Sequence, residues 1–461
     1  MDNYYKSKEF KEILEQYENL HDSGQTLLST EDYSDIAQYY HEQADDKKAL
    51  EAIHVALSLY PGSVGPTSFL ARYALLEEHD VDKASNIADG ITDKNDPDYV
   101  LLMAEIMIVD GRADEADSYL DEAYDFFYDD DYYDDMPLDV AVLFTDYDEV
   151  EYADKWLQRS DETDEIDYIV TKAKILAGQG KINESEELIN KLINADPYST
   201  EYWDLLAVVQ SMGGKTSDSI TSSDYALAID PDDRDALLNK AKGLMSLENY
   251  SEAEKLFRKY AKLEPNKLNS YTLIAFSLMA QNRPQEALLY FEKALEICEK
   301  EPKAYQWGDM VDVIYQMAYL ENTLSHFSKS RELLNRIAEI EKDNLSDNLD
   351  ELGRRLAEVD CGQGCLCLEE NKLDEAIDWF DQAVNDSNGD PHIYSRIAGA
   401  AYESGFVHYA YNILHELLFN IGVEEPLGMK YLTLCCKHLG KEDELKCIEE
   451  KIEKNKKSQE I

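Results

Sequence analysis

The chain has 461 residues, more than one compact hydrophobic core usually serves, so it must be several domains or a repeat array whose core grows with length. Only 20 residues are Gly and 11 Pro, while 44% are hydrophobic, which excludes a disordered or collagen-like chain and suits packed helices. With 97 Asp and Glu against 44 Lys and Arg, the formal net charge of -53 excludes nucleic-acid phosphates and anionic lipid surfaces as general partners.

From the start of the chain, Tyr4, Phe10, Ile13, Leu14, Tyr17 and Leu20 recur at mixed three and four spacings. This predicts one amphipathic helix within residues 1–29 that caps the next segment of the chain. The same stretch carries Lys6, Lys8, Glu9, Lys11, Glu12 and Glu15 and no apolar block of signal-peptide length, so the chain is expected to stay in the cytoplasm. Val100 to Val109, the most apolar run, is interrupted by Glu105 and falls well short of the ~20 residues a membrane span needs.

A repeat begins with Ala49, Ile53, Ala56 and Pro61, and its period is plainest where Pro197, Pro231 and Pro265 stand 34 residues apart. Around these prolines come Trp203, Leu206 and Ala207, then Leu237, Lys240 and Ala241, then Tyr271, Ile274 and Ala275 followed by Ala287, Phe291 and Ala294. That period identifies a helix-turn-helix repeat, with small residues letting two helices approach and large ones filling the space between successive pairs. By these residues the chain resembles the tetratricopeptide-repeat (TPR) superfamily and its multi-repeat bacterial members. The resemblance implies an all-α fold, a right-handed superhelical solenoid of stacked antiparallel helix pairs, with about twelve units.

The units are expected to begin near Thr30, Gly65, Pro97, Asp134, Ile166, Thr200, Arg234, Leu268, Val311, Ala357, Pro391 and Pro426. Residues 30–302 hold the first eight, with an acidic insertion at 125–135 where Phe126, Phe127, Tyr128, Tyr132 and Tyr133 interleave with aspartates. Between Arg112 and Lys155 no residue is Lys, Arg or His, so a partner chosen by charge would be basic and would dock at Asp125–Asp135; a solvated loop is the simpler reading. Residues 303–356 form an irregular, more widely spaced unit, and 357–461 hold the last units. There Ala376, Phe380 and Ala383, then Ala410, Leu414 and Leu417, keep the offsets, while Leu445 stands where Ala is usual. Lys451, Lys454, Lys456 and Lys457, diluted by Glu450, Glu453 and Glu460, read as a polar capping end rather than a localisation signal.

Motifs of catalysis or metal binding fail one by one. Gly213, Gly214, Lys215, Thr216 and Ser217 look like the end of a phosphate-binding loop, but Val209 stands where a glycine is needed and a helix precedes it; in repeat register they are a turn. His41 and His415 each precede a glutamate, yet the second histidine of a zinc helix is Asp45 or Phe419. The other histidines are scattered. A calcium loop from Asp129 would have Asp134 at its glycine position and Val140 at its glutamate position. The seven cysteines, Cys298, Cys361, Cys365, Cys367, Cys435, Cys436 and Cys447, are read as reduced thiols. Cys361 and Cys365 share a helix face, as two metal ligands or a redox site would, but the register places them where small packing residues are wanted. No catalytic residue, cofactor or metal is therefore expected, and the chain is read as no enzyme; a metal- or redox-dependent enzyme at Cys361/Cys365 is the remote alternative.

The resemblance implies that the first helix of each unit, helix A, lines a concave groove. By register the groove would present Asp204 and Val208, Leu238 and Lys242, Thr272 and Phe276, Ser395 and Tyr402. Family co-chaperones hold a carboxylate with Lys and Asn where Asp204 and Val208 stand here, so chaperone tails are disfavoured. The expected function is that of a protein-protein interaction scaffold or adaptor holding a peptide or helix of a partner. An assembly chaperone for a client protein is the alternative.

Overall fold

In a computed structural model, α-helices make up nearly all of the regular structure, and no strand occurs among the described residues. Those residues are 2–5, 7–18, 28–43, 45–128, 131–161, 163, 165–265, 267–300, 307–346, 348–423, 425–446 and 448. Leu20, Asp129, Asp130, Cys447 and the lysine-bearing end from 449 onward lie outside them.

The expected single opening helix is two, Asp2–Tyr5 and Lys8–Glu18. The break is at Ser7, whose hydroxyl accepts a hydrogen bond from the Phe10 amide at 3.0 Å and so starts a new helix. Phe10 is wholly buried, its ring against Tyr5 and Tyr39. Ser29 then opens the first pair with a reciprocal capping box to Asp32.

Helix pairs succeed one another strictly: Thr30–Glu42 with Asp46–Leu59, Val64–Leu76 with Val81–Ala88, Pro97–Val109 with Ala113–Phe126, and Met136–Asp146 with Val150–Leu157. Next come Ile166–Gly178 with Ile182–Ala195, Thr200–Met212 with Thr216–Ile229, and Arg234–Ser246 with Tyr250–Leu263, then Leu268–Ala280 and Pro284–Lys300. Trp307–Thr323 with Phe327–Asn344, Leu349–Glu369 with Leu373–Asp386, Pro391–Glu403 with Val407–His415, and Pro426–Leu439 complete the order. The expected starts at Val311 and Ala357 fall inside longer helices that begin at Trp307 and Leu349, because the small-residue signature marks only the part of a helix that meets its neighbours. Contacts gather the described chain into two compact parts, one up to Ser277 and one from Leu278 on.

The turn inside each pair has a fixed chemistry. After helix A comes a residue in the left-handed region: Gly180, Gly214, Glu248 and Asn282 succeed one another at the repeat period, with φ of 76°, 71°, 61° and 57°. Only glycine takes this conformation without strain, so Glu248 is held there by its surroundings. Within the first part, helix A packs on its own helix B and on the next helix A, and Ala207 and Ala241 are fully buried at these contacts. Where helix B would carry its first alanine, Ser185 and Ser330 are buried instead. Each hydroxyl donates to a helix-A carbonyl, Ala173 at 2.7 Å and Ala318 at 2.8 Å, which removes the cost of burying it.

The acidic insertion is largely exposed among its described residues, with a few aromatic side chains packed down. Helix Ala113–Phe126 runs into it and a 3-10 turn, Asp131–Tyr133, leaves it. Phe127 is 3% exposed, Tyr124 stacks on Tyr133 at 4.3 Å, and the Tyr132 hydroxyl donates to Asp139 at 2.8 Å, while Phe126 and Tyr128 stay exposed. Aspartates of the helix leading into it hold the first cations downstream: Lys155 meets Asp117 and Asp121 at 2.7 and 2.9 Å, and Arg159 meets Asp121 at 2.6 Å over the face of the buried Trp156.

Candidate functional site

The residues nominated in the first compact part occupy the fifth and ninth places of three successive A helices. Asp204 and Val208 come from Thr200–Met212, Leu238 and Lys242 from Arg234–Ser246, Thr272 and Phe276 from Leu268–Ala280. Val208, Lys242 and Phe276 are exposed, Leu238 and Thr272 are half-buried, and Asp204 retains only 9% exposure. Thr272 turns its hydroxyl back to its own helix carbonyls. Helices Thr200–Met212 and Arg234–Ser246 pack side by side, so their contributions share one surface. Ser395 and Tyr402 lie in the other compact part. Ser395 is fully buried and its hydroxyl bonds to Glu425, while Tyr402 is half-buried beside the Tyr431 and His438 rings.

Electrostatics single out Asp204. Burial pushes its carboxyl up to about 8, the charges of Asp233 and Asp235 and a hydrogen bond to Asp233 adding to the effect. Its Oδ1 has no hydrogen-bond partner. Asp233 is the N-cap of Arg234–Ser246, accepting from the Ala236 amide at 3.0 Å, so the acid cluster is anchored by the capping of the next helix. Asp235 is also raised, by burial and then by Asp233, against the pull of Arg234 and Lys242. Three carboxyl groups thus converge beside one exposed lysine.

A cavity on the first two A helices escaped the register reading of the sequence. Ser34 and Gln38, then Ser68 and Arg72, occupy the fifth and ninth places of Thr30–Glu42 and Val64–Leu76, and they line a cavity of about 540 Å³. Tyr5, Asp35, His41, Gly65, Phe69, Tyr73, Leu76, Glu77 and Asp98 complete its wall. The register rule that nominated Asp204 would have found it. Arg72 is held by Glu105, Nε to Oε2 at 2.7 Å, and the other oxygen of that 7%-exposed glutamate accepts from the Tyr147 hydroxyl at 2.9 Å, so three successive A helices are tied across this face. His41 Nδ1 lies 2.7 Å from Asp46, a contact that raises the imidazole pKa against its burial, and Nε2 lies 3.9 Å from Glu77. Ser68 is 2% exposed and its hydroxyl has no partner.

The glycine and cysteine motifs have structural places. Gly213 ends helix A, Gly214 takes the left-handed turn, and Lys215 reaches Glu186 at 2.8 Å, so this lysine is engaged in linking adjacent pairs. Cys298, Cys361, Cys367, Cys435 and Cys436 are buried and Cys365 is half-buried, all as free thiols. Burial pushes the Cys365 thiol up to about 12, with Glu369 adding to it, and raises Cys361 further still. Such thiols carry no thiolate at neutral pH. Among the described residues no three His, Cys, Asp or Glu side chains are grouped to hold a metal ion, and no helix is long and apolar enough to cross a membrane.

Compared with family models, residues 268–301 match the tetratricopeptide repeat. That match spans helices Leu268–Ala280 and Pro284–Lys300 and shows one such repeat within the succession of helix pairs. No curated protein matches the sequence. Among solved structures, a tetratricopeptide repeat protein from Parabacteroides merdae is 15% identical over 58% of this chain and 97% of its own, with a TM-score of 0.42. YrrB, described as a TPR protein with an unusual peptide-binding site, is 16% identical over 44% of this chain and 94% of its own, at 0.35. The pilF protein of Pseudomonas aeruginosa is 19% identical over 49% of this chain and 92% of its own, at 0.36.

Proposed function

We propose that this chain is a cytoplasmic scaffold that holds a peptide or helix of a protein partner on its A-helix face, at the surface formed by Asp204, Val208, Leu238 and Lys242 and continued by Thr272 and Phe276. The observation that carries this reading is Asp204: a nearly buried carboxyl with an orphan oxygen, beside two more acids, on a stripe that also exposes Val208 and Phe276. A nearly buried acid that keeps one carboxyl oxygen without a partner is better understood as part of a binding surface than of the core. Apolar anchors next to polar groups that fix orientation are what a peptide groove needs. The unpaired thiols and acidic exterior fit the cytoplasm. The test is affinity capture with crosslinking from the native lysate, comparing wild type with a Lys242→Glu, Phe276→Ala variant of equal helix content. Loss of the captured partner is expected; unchanged capture would remove the site from this surface.

A further inference from the structure

The cavity on the first A helices is met at its wall by a cation from far along the chain. Lys267, in the turn before Leu268–Ala280, places its ammonium 3.5 Å from Glu77 Oε2 at the cavity wall. This contact spans most of the first compact part, in an architecture whose principal helix contacts join neighbours. Lys267 remains 53% exposed, so the pair is weak and open to exchange. Around it stand what an ammonium recognises: the carboxylates of Glu77 and Asp35, the rings of Phe69 and Tyr73, and the buried Ser68 hydroxyl, which lacks a partner. The cations already in the wall are accounted for, Arg72 by Glu105 and His41 by Asp46.

We propose that this pocket receives a lysine side chain of a protein partner, whose ammonium displaces Lys267 of this chain from Glu77. The orphan hydroxyl and the volume of about 540 Å³ leave room and a hydrogen-bond partner that Lys267, perched at the rim, does not use. The pocket rests on the same A-helix face as the function proposed above but not on the same residues. Its readout is local to His41, so failure of the Lys242 and Phe276 test leaves it standing, and its own failure leaves that surface untouched.

The experiment uses the full chain with ¹³C-labelled histidine, following the His41 ring signal as Nα-acetyl-lysine methylamide is added. Norleucine methylamide, the Nε-acetylated lysine analogue and putrescine serve as parallel probes. A saturable shift of His41 is expected with the lysine probe and, more weakly, with putrescine, but with neither norleucine methylamide nor the acetylated analogue; Glu77→Gln should weaken the lysine probe at least tenfold. Lys267→Gln, which removes the competitor and leaves the wall intact, should tighten binding by roughly two- to fivefold, the scale of an exposed ion pair. No saturable shift in the Lys267→Gln variant, or equal shifts with norleucine, would overturn the pocket. Tighter binding of putrescine would overturn the choice of a protein lysine.

Discussion

Replacing Asp204 by Asn should make the protein more stable at alkaline pH and leave it unchanged in acid. In the folded chain the carboxyl titrates near 8, against about 3.9 when unfolded. Folding therefore takes up a proton between these values, and the wild type loses stability as pH rises from about 4 to about 8, after which the loss is constant. At about 1.4 kcal/mol per pKa unit the full shift would exceed 5 kcal/mol; screening by solvent along the open side of the groove reduces this to about 2 kcal/mol. The amide is isosteric with the protonated acid and donates to Asp233 as that acid does, so the variant escapes the penalty. Urea unfolding followed by circular dichroism should show no difference at about pH 4.5 and a variant more stable by about 2 kcal/mol at about pH 8.5. Comparing variant with wild type at each pH cancels the titrating groups that do not interact with Asp204, leaving Asp233 and Asp235 as the groups coupled to it. A difference independent of pH, or an Asn variant less stable in alkali, would refute the account of Asp204.

Asp117→Ala should cost about 2 kcal/mol, since it strips the buried Trp156 indole N–H of its acceptor at 2.8 Å, and Asp117→Asn should cost less because it retains an acceptor; urea midpoints compare them. Glu248→Gly should stabilise by about 1 kcal/mol by relieving the left-handed backbone at φ 61°, seen as a raised unfolding midpoint, whereas the same change at Glu252, inside helix Tyr250–Leu263, should destabilise. Iodoacetamide at about pH 8 should leave Cys361 and Cys365 unmodified in the folded chain and label both in urea, as mapped by mass spectrometry; rapid labelling of the folded protein would contradict their raised pKa values.

The helix pairs were legible because small and large residues recur with the period of the packing itself, and Ala207, Ala241, Phe291 and Ala294 are buried where that period put them. Legibility failed where packing can be met in other ways. Ser185 and Ser330 fill alanine positions by bonding to a carbonyl, a compensation no alanine pattern records. The long helices from Trp307 and Leu349 extend beyond the signature residues, and Ser7 breaks the opening helix by capping, a local bond that outweighs amphipathic continuity. For the candidate site, register could place Asp204 on the stripe but could not show that it is nearly buried, nor that its neighbours Asp233 and Asp235 belong to the next helix. The cavity near His41 was within reach of the same rule, but Lys267 was not, since nothing in a repeat period relates Glu77 to a turn so distant.

That Lys267 contact gives the protein a sense of time. As the chain leaves the ribosome each helix pair can dock on the one before it, so the early pairs fold before the later ones are made. Lys267 is translated only after the cavity walls are complete. The pocket is thus born open, and whatever meets the nascent chain in that interval encounters Glu77 without its rival.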